Sequence, residues 1–403
     1  MRVAILRRAP KASVSMDVYA DRLVQGLKTV RPNWIITEYY PQFPSRSFAP
    51  SKMLAGIQKY YERYWRYPNR LKRVDADIFH IIDHTDGDLS RWLGRSHNAT
   101  VVTCHDLINL IKPETFKGRA KFPLISMTAW RWGVESMRQA DHVITVSTHT
   151  KQDVAEHLQI ASTAITVVPN AVDKGFHRLS VEAIQTVRDR YGLTPKTFCL
   201  LNVGSNNARK NISGILAAIA MAKHQGLPVH FWKAGADFTD EQTQFIQTND
   251  LADCVKYVGK PNEPALIELY NAADCLIAPS LYEGFGLTIL EAMACGTPVI
   301  TATTSAMPEV AGDAAILVDP TDQAAIANAI QQLYTYPEQR QMLVQKGLER
   351  VQQFTWEKTA QAVASVYEQT LAAQSPSTQP ASVFEMPSQS DSPSPSISSG
   401  DRA

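Results

Sequence analysis

Two glutamates bracket a pair of glycines in the segment PSLYEGFGLTILEAMACGTPVI, which covers residues 279–300. Glu283 precedes the first glycine, and Glu291 follows eight positions later, one turn into a predicted helix. Gly284 and Gly286 let the backbone approach an anion closely. A carboxylate accepts hydrogen bonds from two hydroxyls. A phosphate at the helix start would therefore leave Glu291 near ribose hydroxyls and Glu283 near a sugar.

A basic loop, VGSNNARKNISG, lies upstream at residues 203–214. Arg209 and Lys210 follow a predicted strand and come directly before a predicted helix. Two cations beside the free N–H groups of a helix start suit a pyrophosphate. Taken alone, the loop is equally well a solvated basic turn. Together with the two glutamates, it predicts a site for a nucleotide diphosphate.

His105 and Asp106 come directly after another predicted strand, in VVTCHDL at residues 101–107. A lone histidine is more often structural than catalytic. Ligands of parallel sheets, however, bind at the carboxyl ends of the strands. The position of His105 at such an end favours a functional role, facing the other site loops across a cleft.

Short apolar runs alternate with longer amphipathic runs along the chain, which is typical of parallel sheets covered by helices on both faces. The pattern occurs twice and predicts an α/β protein with two doubly wound domains, residues 1–173 and 197–353, joined by a linker over 174–196. Predicted strands lie at residues 2–6, 77–82, 100–104, 142–146, 165–169, 198–204, 228–235, 255–259, 274–279 and 297–302.

The composition is that of an ordinary soluble protein, with 403 residues, a net charge of +1 and 44% hydrophobic residues. The near-zero charge gives no reason to expect a nucleic-acid partner. The five cysteines are scattered, which is typical of a reduced, cytoplasmic protein. We expect no signal peptide or transmembrane helix. The segment 374–403 is rich in Ser and Pro and is predicted to be disordered.

Several motifs for other chemistries are absent or weak. No Gly-x-Gly-x-x-Gly follows either first strand, which argues against NAD, and no Walker loop or Gly-x-Ser-x-Gly occurs. Two Asp-x-Asp pairs, at 75–77 and 86–88, resemble metal-binding motifs. Neither has a second cluster of ligands nearby, and we therefore predict no metal and no cofactor.

The segment 279–300 resembles the most distinctive part of the retaining glycosyltransferases of family 4, the group 1 glycosyltransferases of GT-B fold. The segments VGSNNARKNISGILAAI, ADHVITVSTHTKQDV and ITVVPNAVD are also similar to signatures of that family, in the expected order. The resemblance covers residues 1–373 and implies two facing Rossmann-like domains with a cleft between them. It also implies that residues 354–373 form a closing helix that returns to the first domain.

The resemblance implies a retaining, metal-independent transfer of sugar from a nucleotide-diphosphate sugar to a saccharide or lipid-linked acceptor. By this resemblance Arg209 and Lys210 hold the diphosphate, Glu291 holds the ribose, and His105 meets the sugar from the first domain. Many relatives have a glycine-rich turn where this chain has PKASVSMD. Backbone N–H groups near Ser15 and Met16 are weaker candidates for the same role, and Asp106 is a weaker candidate beside His105. The resemblance also implies that Glu283, with the backbone of the Gly-Phe-Gly segment, holds the sugar and the distal phosphate. The predicted catalytic residues are thus His105, Arg209, Lys210 and Glu283, and the remaining predicted donor-binding residues are Gly284, Phe285, Gly286 and Leu287.

Two other functions fit the same architecture. A sugar-nucleotide 2-epimerase would share the nucleotide site, but it needs further acid and base groups around the sugar that the first domain does not show. A non-catalytic relative that binds another transferase would be expected to lack Arg209, Lys210 or Glu291, all of which are present.

The segment QKYYERYWRYPNRLKR, residues 58–73, contains six cations, one acid and five aromatic residues. One interpretation is a surface helix with a core-facing aromatic stripe of Tyr60, Tyr64 and Tyr67 that ends at Pro68. The other is a patch that binds an acceptor or makes peripheral contact with an anionic cytoplasmic membrane face. The sequence leaves both interpretations open.

Overall fold

The computed structural model describes residues 1–10, 12–43, 52–94, 98–112 and 123–374. Within these residues the chain forms two six-stranded sheets, and every pair of neighbouring strands is parallel. The predicted α/β class with two doubly wound sheets is therefore confirmed. Residues 375–403, which make up almost all of the predicted disordered tail, lie outside the described residues.

The first sheet has the strand order β2-β1-β3-β4-β5-β6. Its strands are β1 (Arg2–Leu6), β2 (Ile35–Tyr39), β3 (Ile78–Ile81), β4 (Ala99–Cys104), β5 (His142–Thr145) and β6 (Ile165–Val167). The helices of this half are α1 (Val14–Val30), α2 (Lys52–Tyr61), α3 (Tyr67–Leu71), α4 (Leu89–Leu93), α5 (Ile108–Ile111), α6 (Pro123–Ser136) and α7 (Thr148–Leu158).

The second sheet has the strand order β12-β11-β10-β7-β8-β9. Its strands are β7 (Phe198–Gly204), β8 (Val229–Gly235), β9 (Val255–Tyr257), β10 (Cys275–Ala278), β11 (Val299–Ala302) and β12 (Ile316–Val318). The remaining helices are α8 (Val181–Arg190), α9 (Ile212–His224), α10 (Asp240–Thr248), α11 (Glu263–Ala272), α12 (Leu287–Ala294), α13 (Met307–Ala311), α14 (Gln323–Thr335), α15 (Pro337–Val351) and α16 (Trp356–Gln374).

The central strands are fully buried, as continuous apolar runs predict. Two edge strands, β2 and β12, are absent from the predicted set. The residues of β2 are mostly exposed or half-buried, and β12 contains only three residues. A search for buried apolar runs misses such edges because an edge strand is covered less completely than a central one.

The chain returns to its first half at the end. Helix α16 packs along α1, and its Val363, Ala364 and Tyr367 belong to the core of the first sheet. The Tyr367 hydroxyl lies 2.6 Å from Nδ1 of the buried His80 in β3. The two halves therefore share a hydrophobic core segment in addition to the linker. The division at residues 173 and 197 stays a prediction.

The helix that carries the aromatic and basic segment does not end at Pro68, contrary to the sequence expectation. Helix α2 continues into a π-helical turn, Glu62–Arg66, and then into α3, which has Pro68 near its start. A proline inside a helix removes one backbone hydrogen bond, and here it directly follows the widened turn in which the Tyr67 N–H donates to the Glu62 carbonyl. Among the described residues, no helix is long and apolar enough to span a membrane.

Helix α1 contains the weaker candidates Ser15 and Met16 in its first turn. Ser13 occupies the N-cap position and the helix starts at Val14. Ser15 and Met16 are therefore the second and third residues of the helix.

Candidate active site

The second sheet reverses its strand order between β7 and β10. These two strands are neighbours in the sheet, but the chain leaves β7 towards β8 and leaves β10 towards β11 on the opposite side. The two following loops separate at this point and leave a crevice at the carboxyl edge, which is where doubly wound sheets bind ligands. Residues 205–211 and 279–286 form these two loops.

A buried carboxylate, Glu283, lies at the centre of this crevice. Arg209 Nη1 lies 2.5 Å from Glu283 Oε2, and Lys210 Nζ lies 2.6 Å from Glu283 Oε1. The Ser280 hydroxyl donates a further hydrogen bond of 3.1 Å to Oε1. The structure therefore brings together three of the four predicted catalytic residues at one point.

The two cations determine the charge state of this carboxyl group. Burial alone would raise the pKa of Glu283, but Lys210 and Arg209 outweigh it and lower the pKa to about 2. Burial likewise acts against the charge of Arg209, yet Glu283 raises the pKa of Arg209 above its usual value. Glu283 is thus ionised throughout the physiological range. It can accept hydrogen bonds but has no proton to deliver.

The local backbone explains why both cations reach the same acid. Ala208–Lys210 form a 3-10 turn, and the Asn207 side chain caps it by accepting the Arg209 N–H at 3.0 Å. Asn211 follows with a φ of 58° and leads into α9. The Leu281 N–H donates to the Arg209 carbonyl at 2.7 Å, which ties this turn to the loop after β10.

Glu291 lies in α12, where the Tyr270 hydroxyl donates to its Oε2 at 2.7 Å. Burial raises the pKa of Glu291 to about 6, although Tyr270 and Lys210 both act to lower it. Lys210 therefore acts on both glutamates of the motif.

The glycine pair allows the two halves of the molecule to touch. A Cβ on Gly284 would collide with the His105 carbonyl oxygen and would also lie 2.8 Å from the Asp106 Cβ. Gly286 has a φ of 96° at the start of α12. Phe285 between them is buried, with its ring 5.9 Å from that of Phe354. Leu287, the last predicted residue of the loop, is the first residue of α12.

His105 lies at the carboxyl end of β4, as the sequence predicted. Its Nε2 lies 2.9 Å from the Ile82 carbonyl oxygen, so Nε2 carries the proton and Nδ1 is left as an acceptor. Burial lowers the pKa of His105, although Asp83 acts to raise it. His105 is therefore a neutral hydrogen-bonding group at neutral pH. Its ring meets the Tyr19 ring edge-on at 4.8 Å.

The weaker candidates lie close to these groups. Asp106 Oδ1 accepts the Ile108 N–H at 3.2 Å, directly before the short helix α5, whose N-cap is Leu107. Ser15 and Met16 lie in the first turn of α1, one turn before Tyr19, which contacts His105. Backbone N–H groups of a first helical turn have no intrahelical acceptor, so this turn retains donors at the edge of the first sheet.

Contacts between the halves involve residues that sequence reasoning did not select. The hydroxyls of Ser147 and Thr150 donate to the Gly284 carbonyl at 2.8 and 3.2 Å. The Tyr282 hydroxyl donates to Asp153 at 2.5 Å. The start of α7, in the segment THTKQDV, thus holds the loop after β10. Two signals were available for this contact: the run of hydroxyl residues at a helix start after a strand, and the resemblance of this segment to a family signature.

Lys233 is a second residue that the sequence reading missed. It is fully buried in β8, and its Nζ donates to the carbonyls of Gly204 and Ala234 at 2.8 and 2.9 Å. Burial, followed by the charge of Lys210, lowers the pKa of Lys233 to about 8. A lysine inside an apolar strand, FWKAG, was the available signal. Lys233 adds a third cation behind the basic loop.

Both Asp-x-Asp pairs have cationic partners within the protein. Asp75 and Asp77 form ion pairs with Arg2 at the start of β1. Asp86 forms an ion pair with Arg63 in the π-helical turn. These pairings give Asp75, Asp77 and Asp86 structural roles, whereas Asp88 is buried and its Oδ2 has no hydrogen-bond partner among the described residues.

Comparison with family models assigns both halves of the chain. The model described as Glycosyltransferase Family 4 matches residues 5–176, and the model described as Glycosyl transferases group 1 matches residues 183–377. The two matches meet near the predicted linker and together span both sheets.

Among curated proteins, the O-antigen chain mannosyltransferase B of Escherichia coli is 29% identical over 271 residues, covering 66% of this chain and 69% of that protein. The serotype-specific mannosyltransferase WbdA of Escherichia coli is 29% identical over 268 residues, but the alignment spans only 32% of that longer protein. A D-inositol 3-phosphate glycosyltransferase of Geodermatophilus obscurus is 27% identical over 381 residues, covering 91% of this chain and 83% of that one.

Solved structures share the fold over nearly the whole described chain. Sucrose-phosphate synthase from Thermosynechococcus elongatus has a TM-score of 0.72 and 22% identity, covering 93% of this chain and 100% of its own. Anabaena HepE in complex with UDP-glucose has a TM-score of 0.67 and 18% identity, covering 92% of this chain and 100% of its own. The chain therefore belongs to the group 1 glycosyltransferases of family 4 and has the GT-B fold of two facing doubly wound domains.

Proposed function

We propose that this glycosyltransferase moves a sugar from a nucleotide-diphosphate sugar to an acceptor hydroxyl, with retention of anomeric configuration and without a metal ion. One observation carries the proposal: Arg209 and Lys210 converge on the single buried carboxylate of Glu283, in the crevice where the second sheet reverses its order. Two cations against one acid leave a net positive charge, which suits a diphosphate.

Each residue has a role in this proposal. Arg209 and Lys210 stabilise the charge that develops on the leaving diphosphate, as a metal does in other enzymes. Glu291 accepts hydrogen bonds from the ribose hydroxyls. Glu283 accepts hydrogen bonds from the transferred sugar, and the Nδ1 atom of neutral His105 accepts one from the opposite side of the cleft.

The proposed step balances without a protein acid. The bond between the anomeric carbon and the phosphate oxygen breaks, and a bond to the acceptor oxygen forms on the same face of the sugar. The acceptor proton passes to the leaving phosphate oxygen, so the products are a glycosylated acceptor and a nucleoside diphosphate. The low pKa of Glu283 supports this route, because an ionised carboxylate cannot protonate the leaving group.

The names of the relatives suggest which donors to test first. HepE was solved with UDP-glucose, and two of the curated relatives are called mannosyltransferases. We therefore propose UDP-glucose and GDP-mannose as the first donors in a thermal-shift panel of UDP-, GDP- and ADP-sugars. A ligand that binds only the native state raises the melting temperature by mass action.

Incubation with labelled donors separates the candidate functions. A transferase releases nucleoside diphosphate, slowly to water or faster to an acceptor. An epimerase converts the donor to its C2 epimer and releases no diphosphate, and a non-catalytic relative leaves the donor unchanged. Either of the last two outcomes, obtained with a donor that stabilises the protein, would refute the proposal.

We also propose that the enzyme works at an anionic membrane surface on the cytoplasmic side. The support is the outer face of residues 58–73, where Trp65 is 56% exposed and Arg66, Lys72 and Arg73 are exposed nearby. Aromatic and cationic side chains on one face suit a headgroup region. Arg63, which the sequence suggested as part of this patch, points inward and pairs with Asp86.

A further inference from the structure

The first sheet has its own point of strand reversal, between β1 and β3, and a cavity lies there. The chain leaves β1 towards β2 and leaves β3 towards β4, on opposite sides. The cavity has a volume of about 450 Å³, within the usual range of small-molecule sites. Its lining includes Arg8 from the loop after β1 and Thr85 from the loop after β3.

The cavity is connected to the donor loop through two histidines. Trp130 lines the cavity, and its ring meets the His84 ring edge-on at 6.5 Å. His84 Nδ1 accepts a hydrogen bond from the backbone N–H of His105 at 3.4 Å, and the backbone carbonyl of His105 packs against Gly284. A ligand in the cavity would therefore lie across the cleft from the sugar of a bound donor.

Aromatic side chains dominate one wall of this cavity. The rings of Tyr60 and Tyr64 stack at 5.8 Å with an angle of 25° between them. Neither phenol hydroxyl has a hydrogen-bond partner in the described parts of the chain, and burial raises the pKa of Tyr64 to about 12, so its hydroxyl keeps its proton. The wall thus offers flat apolar faces with hydroxyl groups at their edges.

The π-helical turn explains how one helix supplies this wall. Glu62 is buried and accepts hydrogen bonds from the Gln42 N–H and from Arg70, at 2.8 and 2.9 Å. The next residue, Arg63, also turns inward and donates to the Thr85 carbonyl at 2.8 Å. The extra residue of a π turn lets consecutive side chains share the inner face, and such turns are frequent at functional sites.

The arginines of the cavity are already neutralised. Arg8 Nη1 lies 3.2 Å from the buried carboxylate of Asp83, and Arg63 pairs with Asp86. Burial acts to lower the pKa of Arg63, but the charges of nearby acids, of which Asp86 has the largest effect, raise it. An anionic ligand would meet these carboxylates directly behind the two guanidinium groups. Among the three cations in the described lining, Lys59 is the one without an ion pair. Its Nζ lies 5.9 Å from the centre of the Phe43 ring.

From this combination we infer that the cavity is the acceptor subsite and that the acceptor group it holds is a neutral saccharide ring. The inference rests on the proposed function and adds the substrate class. The apolar face of a sugar ring packs on Tyr60 and Tyr64, while its hydroxyls bond to the phenol groups. Arg8 and Arg63 are already paired with Asp83 and Asp86. A phosphorylated polyol would therefore find no unpaired arginine in the cavity to bind its phosphate, which selects against such an acceptor.

The test measures ligand binding and chemistry separately. Saturation-transfer NMR is recorded with neutral disaccharides (α-mannobiose, maltose and cellobiose) and with D-inositol 3-phosphate as the anionic comparator. The variants are Tyr60→Ala, Tyr64→Phe and Lys59→Ala. Tyr61→Ala is the matched control, since Tyr61 is 58% exposed and does not line the cavity. Hydrolysis of the donor without acceptor is measured for each protein.

We expect at least one disaccharide to bind and D-inositol 3-phosphate to bind more weakly. Tyr60→Ala should weaken disaccharide binding about tenfold, Tyr64→Phe should weaken it less, and Tyr61→Ala and Lys59→Ala should leave it unchanged. Donor hydrolysis should stay at the wild-type rate in the control Tyr61→Ala. In the other three variants, a rise of the melting temperature on addition of donor, equal to that of the wild type, shows that the protein is folded and has an intact donor site.

Three results would overturn the inference: no neutral disaccharide binds, disaccharide binding is unchanged in Tyr60→Ala, or D-inositol 3-phosphate binds more tightly and depends on Lys59. Failure of the proposed function looks different. In that case the wild-type enzyme neither hydrolyses nor is stabilised by any nucleotide-sugar, whatever the cavity binds.

Discussion

Both sheets of this glycosyltransferase have a crevice where the strand order reverses, but the charges in the two crevices are balanced differently. In the second sheet Arg209 and Lys210 share one acid, Glu283, with the buried Lys233 behind them. In the first sheet, Arg8 and Arg63 each have an aspartate of their own.

We propose that this difference allows one architecture to serve two kinds of ligand. The strand reversal provides the space in both cases, because diverging connections leave a gap at the carboxyl edge. The ratio of cations to acids in the loops then selects the ligand. An excess of cations suits a diphosphate, whereas paired charges under an aromatic wall suit a neutral ring.

The largest effect should come from removing a cation of the second crevice. Arg209→Ala or Lys210→Ala should lower turnover about a hundredfold or more, equivalent to roughly 3 kcal/mol of transition-state stabilisation. Turnover is measured at saturating donor. Lys346→Ala, which removes a cation from an exposed ion pair with Asp313, is the control. Folded variants of both residues with near wild-type turnover would show that the diphosphate lies elsewhere.

The next effect tests the contact between the two crevices. In Gly284→Ala the new methyl group would collide with the His105 carbonyl and force the halves apart. We expect turnover to fall about a hundredfold, since a misplacement of about 1 Å costs that much, while donor affinity changes far less. Gly56→Ala is the matched control because a Cβ there meets no other atom within 4 Å. Equal losses of turnover and donor affinity would contradict this separation.

A smaller effect should follow from Glu291. In Glu291→Gln we expect donor affinity at pH 8 to fall about tenfold, because hydrogen bonds to a charged acceptor are stronger than those to an amide. The pKa of about 6 predicts that wild-type affinity rises as the pH increases through 6, while the variant shows no such step. Donor dissociation constants from pH 5 to 8 check this, and Glu338→Gln, which changes an exposed glutamate, is the control.

The pKa of Glu291 also predicts the direction in which Glu291→Gln changes the melting temperature at high pH. The folded-state pKa of Glu291 is higher than the usual value of 4.5, so its protonation stabilises the fold below pH 4.5 and this contribution is lost as the pH rises through about 6. Glu291→Gln should therefore melt at the same temperature as the wild type or higher at pH 8. A lower melting temperature there would mean that the ionised carboxylate supports the fold.

The smallest effect on the enzyme itself concerns the outer face of residues 58–73. The wild type should bind anionic vesicles at low salt and leave them at high salt, because exposed charges are screened. Reversing Arg66 and Lys72 to Glu should abolish vesicle binding without altering turnover in solution. Co-sedimentation with anionic and neutral vesicles measures this. If the wild type ignores anionic vesicles at low salt, the membrane proposal fails.

Much of the fold and of the donor crevice was predictable from the sequence. Continuous apolar runs identified ten of the twelve strands, and β2 and β12 were missed because edge strands are partly exposed or short. Arg209, Lys210 and Glu283 were selected because their loops follow buried strands, and Glu291 was selected because of its spacing from Glu283 across the glycine pair. Sequence reasoning did not select Lys233, Ser147 or Thr150, because a lysine in an apolar strand and hydroxyls at a helix start do not by themselves indicate which residues they meet in the fold.

The sequence by itself determined which residue types stand at the strand ends and which turns carry them, because hydrophobic period, caps and glycines act over a few residues. The tertiary structure alone decided which of them meet. The pairing of Arg209 with Glu283 spans 74 residues, and the Ser147 bond to Gly284 spans 137. Such contacts depend on the order of strands in a sheet and on the docking of the two halves, which no local pattern encodes.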